Sequence, residues 1–207
     1  MSDALAWFDF DVERTEPLWD EIRMPGAESY EVVAGDDTGG SYLLIGPDDP
    51  HPVVYIGSEG EAGLIAFGLR DALAVLVGLP GLHNSTVVSV FEDRPRLLAW
   101  LAECQEKRRE YIPDLVGQQE RLRSALGLPD AHELLPAFHT AVLNWRYLPI
   151  FVPENTYYRP LLGPEPPDPS HRTPSSSSAP SALPGEAPPE RGDSGAPRPI
   201  DGQTQLF

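Results

Sequence analysis

The fold of this chain is decided by three consecutive pieces, SYEVVAGDDTGGSYLLIG (Ser29–Gly46), PVVYIGSEGEAGLIA (Pro52–Ala66) and LRDALAVLVGLPG (Leu69–Gly81). The first two contain short apolar runs separated by turns rich in glycine and acidic residues, a pattern typical of an antiparallel meander. The predicted strands are Tyr30–Ala34, Ser41–Ile45, Val53–Gly57 and Ala62–Phe67. The second and third strands are almost continuously apolar, so we expect both of their faces to be covered.

The third piece predicts one amphipathic helix over 69–79. Its apolar residues follow the i, i+4, i+7, i+8 spacing of a helix packed on one side, at Leu69, Leu73, Leu76 and Val77. Such a helix is expected to lie against the sheet. If Leu73 is buried there, its replacement by Ala should cost ~2–5 kcal/mol.

Residues on either side of this stretch predict further helices. Before it, Leu18, Trp19 and Ile22 have the spacing of one helical face, and Trp7 and Trp19 are expected to pack on the sheet. After the apolar run 86–91, a helical pattern begins near Pro95 and should break at Pro113. A further helix is predicted over 130–145, with Asp130 as N-cap and Pro136 favouring a shifted boundary.

These elements predict an α+β fold in which a small antiparallel sheet of about four to six strands packs against helices. Residues 1–93 form the predicted core, and 94–162 form a helical extension and an extended segment (147–162) packed on it. Residues 163–207 are mostly Pro, Ser, Gly, Ala and charged. Such a segment cannot bury enough apolar area to offset its ordering entropy, so we expect a disordered tail.

The charge of the chain limits its partners. The formal net charge is −17, and residues 1–71 carry 16 Asp and Glu against three Arg, a local net charge of −13. An acidic surface repels phosphate backbones and anionic lipid, which disfavours direct nucleic-acid and membrane binding and permits a basic protein partner. Solubility alone is the other explanation of this charge. Without a signal peptide or a long apolar run, the expected location is cytoplasmic.

Residues suited to metal, cofactor or nucleophilic chemistry do not converge in the sequence. His132 and His139 lie two helical turns apart, too far to share one ion. The glycine clusters lack the GK[ST] of a phosphate loop, and the lone Cys104 predicts a buried, inert thiol. Glu59 and Glu61 fit solvated turn residues better than an acid–base pair. We therefore predict no catalytic residues, metal or cofactor.

The order of these motifs resembles the SUKH superfamily, also called the SMI1/KNR4 family. The resemblance lies in an acidic turn, a glycine-flanked strand, a PVxY-type strand, a second acidic turn and a helix, and it covers roughly residues 29–82. It implies an α+β domain that binds proteins. Bacterial members are commonly immunity proteins that block a cognate toxin, often a nuclease. The expected function is therefore non-enzymatic binding and neutralisation of a protein partner.

The two acidic turns supply the candidate binding residues Asp36, Asp37, Glu59 and Glu61. If both turns meet at one edge of the sheet, these carboxylates would form an acidic rim complementary to the basic substrate cleft of a nuclease.

Two alternatives stay open. Gln203, Leu206 and Phe207 belong to QTQLF, which resembles the peptide by which bacterial DNA polymerases and repair proteins dock on the sliding clamp. This favours a replication or repair accessory protein tethered by its tail. A cryptic enzyme is the second alternative, and it would require a closed pocket with strongly perturbed carboxylates.

Overall fold

The secondary structure follows the predicted alternation of strands and helices. A computed structural model describes residues 2–47, 49–82, 93–167 and Pro169. Its strands are β1 Ile22–Arg23, β2 Tyr30–Gly35, β3 Ser41–Ile45, β4 Val53–Ile56, β5 Glu61–Ala66, β6 Ile150–Phe151, β7 Thr156–Tyr157 and β8 Arg159–Pro160. Its helices are α1 Ser2–Ala6, α2 Leu69–Gly78, α3 Arg94–Arg109, α4 Leu115–Leu126 and α5 Leu135–Val142, followed by a 3-10 turn at Trp145–Tyr147.

The main sheet has five strands in the order β2-β3-β4-β5-β8. Strands β2 to β5 form the antiparallel meander expected from their short turns, with Tyr42 opposite Tyr55 and Leu43 opposite Val54. The mixed α+β class is thereby confirmed. Strand β8 differs from the prediction, because it joins β5 in parallel after the chain has passed through the helices.

Both faces of this sheet are buried, as the continuous apolar runs predict. One face packs with α2 and carries Tyr42, Val53, Tyr55 and Ile65. The opposite face carries Leu43, Ile45, Val54 and Leu64, which pack with residues near a second, smaller sheet of order β1-β6-β7. Because side chains alternate along a strand, each apolar run supplies residues to two cores at once.

The segment before β2 is not the predicted helix. Ile22 lies in β1, where it pairs with Phe151 of β6, and residues 10–21 contain no helix. The tryptophan prediction is also wrong, since Trp7 is half exposed and Trp19 is fully exposed. The reason is tertiary: strand pairing buries Ile22 in the second core, whereas one helical turn would place Trp19 on the same face as Ile22.

Helix α2 forms where its periodicity places it. Leu73 and Leu76 are buried, while Leu69, in the first turn, is partly exposed. The helix ends at Gly78, and the Leu79 N–H donates to the Val75 carbonyl, which closes the last turn.

The later helices confirm one predicted break and correct one boundary. Helix α3 ends before Pro113, and α4 begins after it. The predicted helix over 130–145 is only α5, with Pro136 in its first turn. Asp130 does not cap α5. Its Oδ1 accepts a hydrogen bond from the His132 N–H (2.8 Å) in the preceding turn.

Helices α3 and α4 share the core of the sheet rather than standing apart from it. Leu97, Leu101 and Leu122 belong to the same apolar cluster as the buried face of α2. Gln119 Nε2 donates to the Val77 carbonyl (2.8 Å), and Gln105 Nε2 donates to Gln119 Oε1 (3.0 Å). Helices α3 and α4 therefore pack against the core that α2 and the main sheet form.

Two predictions fall outside the described residues: the apolar run 86–91 and almost all of the predicted disordered tail, 163–207. Within the described ranges, none of the helices combines the length and apolarity that crossing a bilayer requires.

Candidate functional site

The two acidic turns lie side by side at one end of the main sheet. The β2–β3 turn is 36–40 and the β4–β5 turn is 57–60; a Cβ built on Gly39 would lie 3.7 Å from Ser58 Cβ. Between these turns and the segment 14–20 lies a cleft of about 650 Å³. The condition on which the rim prediction depended, that the turns meet, is satisfied. We refer to this concavity as the turn cleft.

Asp36 is buried and organises the first turn. Its Oδ1 accepts hydrogen bonds from the Thr38 N–H (2.8 Å), the Thr38 hydroxyl (2.8 Å) and the Gly40 N–H (2.7 Å). Its Oδ2 accepts one from the Tyr55 hydroxyl (2.6 Å) on β4. Only glycine fits at position 40, because a Cβ there would lie 2.5 Å from that hydroxyl oxygen.

The expected placement of Asp36 on an exposed rim is therefore corrected. The residue is 2% exposed, and its carboxylate points inward to four donors. Burial by itself raises the pKa of Asp36, but the hydrogen bonds from Tyr55, Thr38 and Gly40 outweigh it, so the pKa is lowered. Burial and the bond to Asp36 raise the pKa of Tyr55 far above its ordinary value.

The other three predicted rim residues differ in exposure. Asp37 and Glu59 are exposed, and Asp37 accepts a hydrogen bond from Arg14 Nη2 (2.9 Å). Glu61 is only partly exposed, and Arg159 Nη2 lies 3.4 Å from its Oε2. The structure thus leaves Asp37 and Glu59 at the surface beside the turn cleft. Asp36 and Glu61 instead contact residues of this same chain, Tyr55 and Arg159 among them.

Arg14 holds the first turn from outside, a role that the sequence did not reveal. Its Nη1 donates to the Asp36 carbonyl (2.7 Å), its Nη2 pairs with Asp37, and its Nε lies 3.3 Å from Asp11 Oδ2. Nothing local marks this role, because the two turn residues that Arg14 contacts, Asp36 and Asp37, lie more than twenty positions along the chain.

The segment on the remaining side of the turn cleft carries the feature that sequence reasoning missed. Trp19 is fully exposed, and both it and Asp20 line the cleft. The Tyr158 hydroxyl donates to Asp20 Oδ2 (2.7 Å), and Tyr158 itself is buried. Burial and this hydrogen bond raise the pKa of Tyr158 well above its ordinary value. Asp20 and Tyr158 lie 138 positions apart in the chain, so no short stretch of sequence contains both.

No protein-family model, curated protein or solved structure matches this chain. The SUKH resemblance accordingly stays a prediction carried by the motifs of 29–82.

The remaining candidate residues are the metal-ligating side chains, Cys104 and the tail motif. Among the described residues, no group of three His, Cys, Asp or Glu side chains is placed to hold a metal ion. Cys104 is half buried rather than buried, and burial raises the pKa of its thiol. Gln203, Leu206 and Phe207 lie outside the described residues.

A second concavity, of about 510 Å³, lies between α2, α3 and α4. Its floor is apolar, with Val77, Leu101 and Leu128, and its rim contains the ion pair Arg123–Asp130 (3.7 Å). Its lining has Glu120 and Asp130 against Arg123, so this groove is less acidic than the turn cleft, whose lining has three carboxylates against Arg14. The turn cleft is the better candidate for a site that selects its partner by charge.

Proposed function

We propose that this chain is a non-enzymatic protein-binding protein of the immunity type, which binds and neutralises a basic partner such as a nuclease toxin. The partner contacts the turn cleft. The single observation that carries the proposal is Trp19, fully exposed beside two acidic turns. The proposal places this interaction in the cytoplasm.

The exposed indole supports a protein interface. A tryptophan side chain buries more apolar area than almost any other residue when it is covered, and it is enriched among residues that dominate binding energy. In this protein Trp19 gains none of that burial from its own fold. A partner that covers it would recover the free energy that folding leaves unused.

The charge around the indole supports a basic partner. Glu16 and Asp20 line the turn cleft, and Asp37 and Glu59 stand beside it. The cation in its wall, Arg14, is already engaged by Asp11 and Asp37. An acidic surface of this kind speeds the encounter with a basic protein and disfavours nucleic acid.

The buried carboxylate of the turn supports binding rather than catalysis. A general acid or base working near neutral pH requires a carboxyl pKa raised toward 6 or 7. The pKa of Asp36 is shifted the opposite way, and its oxygens are occupied by protein donors. Asp36 therefore stabilises the wall of the cleft, and the exposed acidic residues around it are the ones that would contact the partner.

Replacing Trp19 with Ala is expected to weaken partner binding by about 30-fold or more, the loss typical of an interface hot spot. Tagged full-length protein captures the partner from native cells, and calorimetry then compares the variants with the purified partner. Tyr111→Ala is the matched control, because Tyr111 is 71% exposed and does not line the turn cleft. Equal affinity of Trp19→Ala and wild type would overturn the proposed interface.

The tail motif carries a second proposal, docking on the sliding clamp through Gln203, Leu206 and Phe207. An adjacent Leu-Phe pair can fill a preformed apolar pocket while the glutamine bonds at its rim. The double substitution Leu206→Ala, Phe207→Ala is expected to abolish retention on immobilised clamp, and Ile200→Ala, outside the motif, is expected to preserve it. Absence of retention for the wild-type chain would remove this proposal.

A further inference from the structure

We infer that the turn cleft recognises an arginine side chain of the partner, whose guanidinium stacks on Trp19 and pairs with Asp20. The inference rests on the proposed function and names the chemical group that the cleft selects. It is carried by the adjacency of an exposed indole and a carboxylate held in position from behind.

Asp20 is oriented without being neutralised. The buried Tyr158 hydroxyl donates to its Oδ2 at 2.7 Å, which fixes one carboxylate oxygen against the protein. A tyrosine hydroxyl is neutral, so this bond leaves the full negative charge in place. In the part of the chain that the structure describes, every ion pair joins other carboxylates, and none involves Asp20 or Glu16.

The cation already in the wall cannot serve this carboxylate. Arg14 donates to the Asp36 carbonyl and to Asp37, and its Nε lies beside Asp11. The guanidinium is thereby held at the first turn by three oxygen atoms. The side of the cleft formed by 16–20 retains an excess of negative charge, which a cation supplied from outside would balance.

The neighbouring indole favours arginine over lysine. A guanidinium is planar and weakly hydrated, so it stacks on an aromatic face while its edge donates to a carboxylate. Trp19 directly precedes Asp20, and both line the same concavity, so one planar cation can contact the two side chains together. A lysine ammonium would make the charge contact with less stacking and a larger desolvation cost.

The test uses three short probes with ¹⁵N-labelled full-length protein: acetyl-Gly-Arg-Gly-amide, its lysine counterpart and its neutral citrulline counterpart. The indole N–H signal of Trp19, assigned as the one lost in Trp19→Phe, reports binding. We expect the arginine probe to shift this signal saturably and to bind about tenfold more tightly than the citrulline probe, with lysine between them. An equal response to arginine and citrulline would overturn the inference.

The Asp20→Asn variant tests the carboxylate, since it retains the shape of the side chain and removes its charge. It is expected to weaken the arginine probe about tenfold, whereas Glu110→Gln, on an exposed residue after α3, leaves it unchanged. An arginine affinity unaffected by Asp20→Asn would also overturn the inference.

Failure of the inference and failure of the proposed function give different results. If the captured partner depends on Trp19 but the arginine probe does not prefer the wild-type cleft, the protein interface stands and the arginine site does not. If the arginine probe binds at Trp19 and Asp20 while the partner ignores Trp19→Ala, the arginine site stands and the proposed function does not.

Discussion

Replacing Asp36 with Ala is expected to lower the free energy of unfolding by about 3–5 kcal/mol. The substitution leaves the Thr38 and Gly40 N–H groups and the Tyr55 hydroxyl without the carboxylate that accepts from them. Hydrogen bonds to a charged acceptor are worth more than neutral ones, and a buried donor left unsatisfied costs its desolvation. Urea denaturation followed by circular dichroism measures the loss.

Two control variants, Asp36→Asn and Asp37→Ala, test whether the loss of stability comes from the buried carboxylate. Asp36→Asn retains an oxygen for the turn donors and an amide that can donate to the Tyr55 oxygen, so its cost should be clearly smaller. Asp37→Ala removes an exposed carboxylate whose ion pair with Arg14 is worth about 0–1 kcal/mol. If Asp36→Ala were as mild as Asp37→Ala, the turn would not depend on the buried carboxylate.

The lowered pKa of Asp36 gives the same residue a pH signature. Its pKa is lower in the folded state than in the unfolded chain, where the pKa of an aspartate is about 3.9. The ionised carboxylate therefore stabilises the fold above that pH, and this contribution is lost as the pH falls through the folded value. The stability difference between wild type and Asp36→Asn should shrink below about pH 4. A constant difference down to pH 2 would contradict this linkage.

Replacing Leu73 with Ala is expected to lower the free energy of unfolding by ~2–5 kcal/mol, because it removes a side chain from the core between α2 and the sheet and leaves a cavity there. Leu73 is 9% exposed. Thermal and urea unfolding measure the change.

The control for this substitution lies one turn earlier on the same helix. Leu69 is 36% exposed, so Leu69→Ala changes the same side chain with the same helix propensity and should cost about 1 kcal/mol or less. Similar losses at both positions would show that helix α2 does not bury the stripe described here.

The elements that sequence reasoning located correctly are those whose signals are local. Strands β3 and β4 are continuous apolar runs and are buried, helix α2 has a helical apolar period, and Pro113 separates α3 from α4. The failures lie where distant segments meet. Ile22 lies in a strand that pairs with Phe151, and β8 pairs with β5 although the helices separate the two strands in the chain.

At the candidate site, too, some features were predictable from the sequence and others were not. The acidic turns were identifiable from their glycine and acidic residues, and they do meet at one end of the sheet. Their individual side chains were not predictable, because neighbours as similar as Asp36 and Asp37 point to opposite environments. Trp19 was expected to be buried, since a tryptophan between acidic residues has no sequence feature that distinguishes a core anchor from an exposed contact.

By itself, the sequence determined the α+β class, the order of the meander and its helix, and the acidic character of the two turns. These depend on periodicity, turn residues and net charge, which act over short windows or over the whole chain. Only the tertiary structure decided that Asp36 is buried and hydrogen-bonded to Tyr55. It also decided that Trp19 is exposed at the turn cleft beside Asp20, whose carboxylate accepts a hydrogen bond from Tyr158. Side-chain burial and orientation depend on Tyr55 and Tyr158, which folding brings from distant parts of the chain.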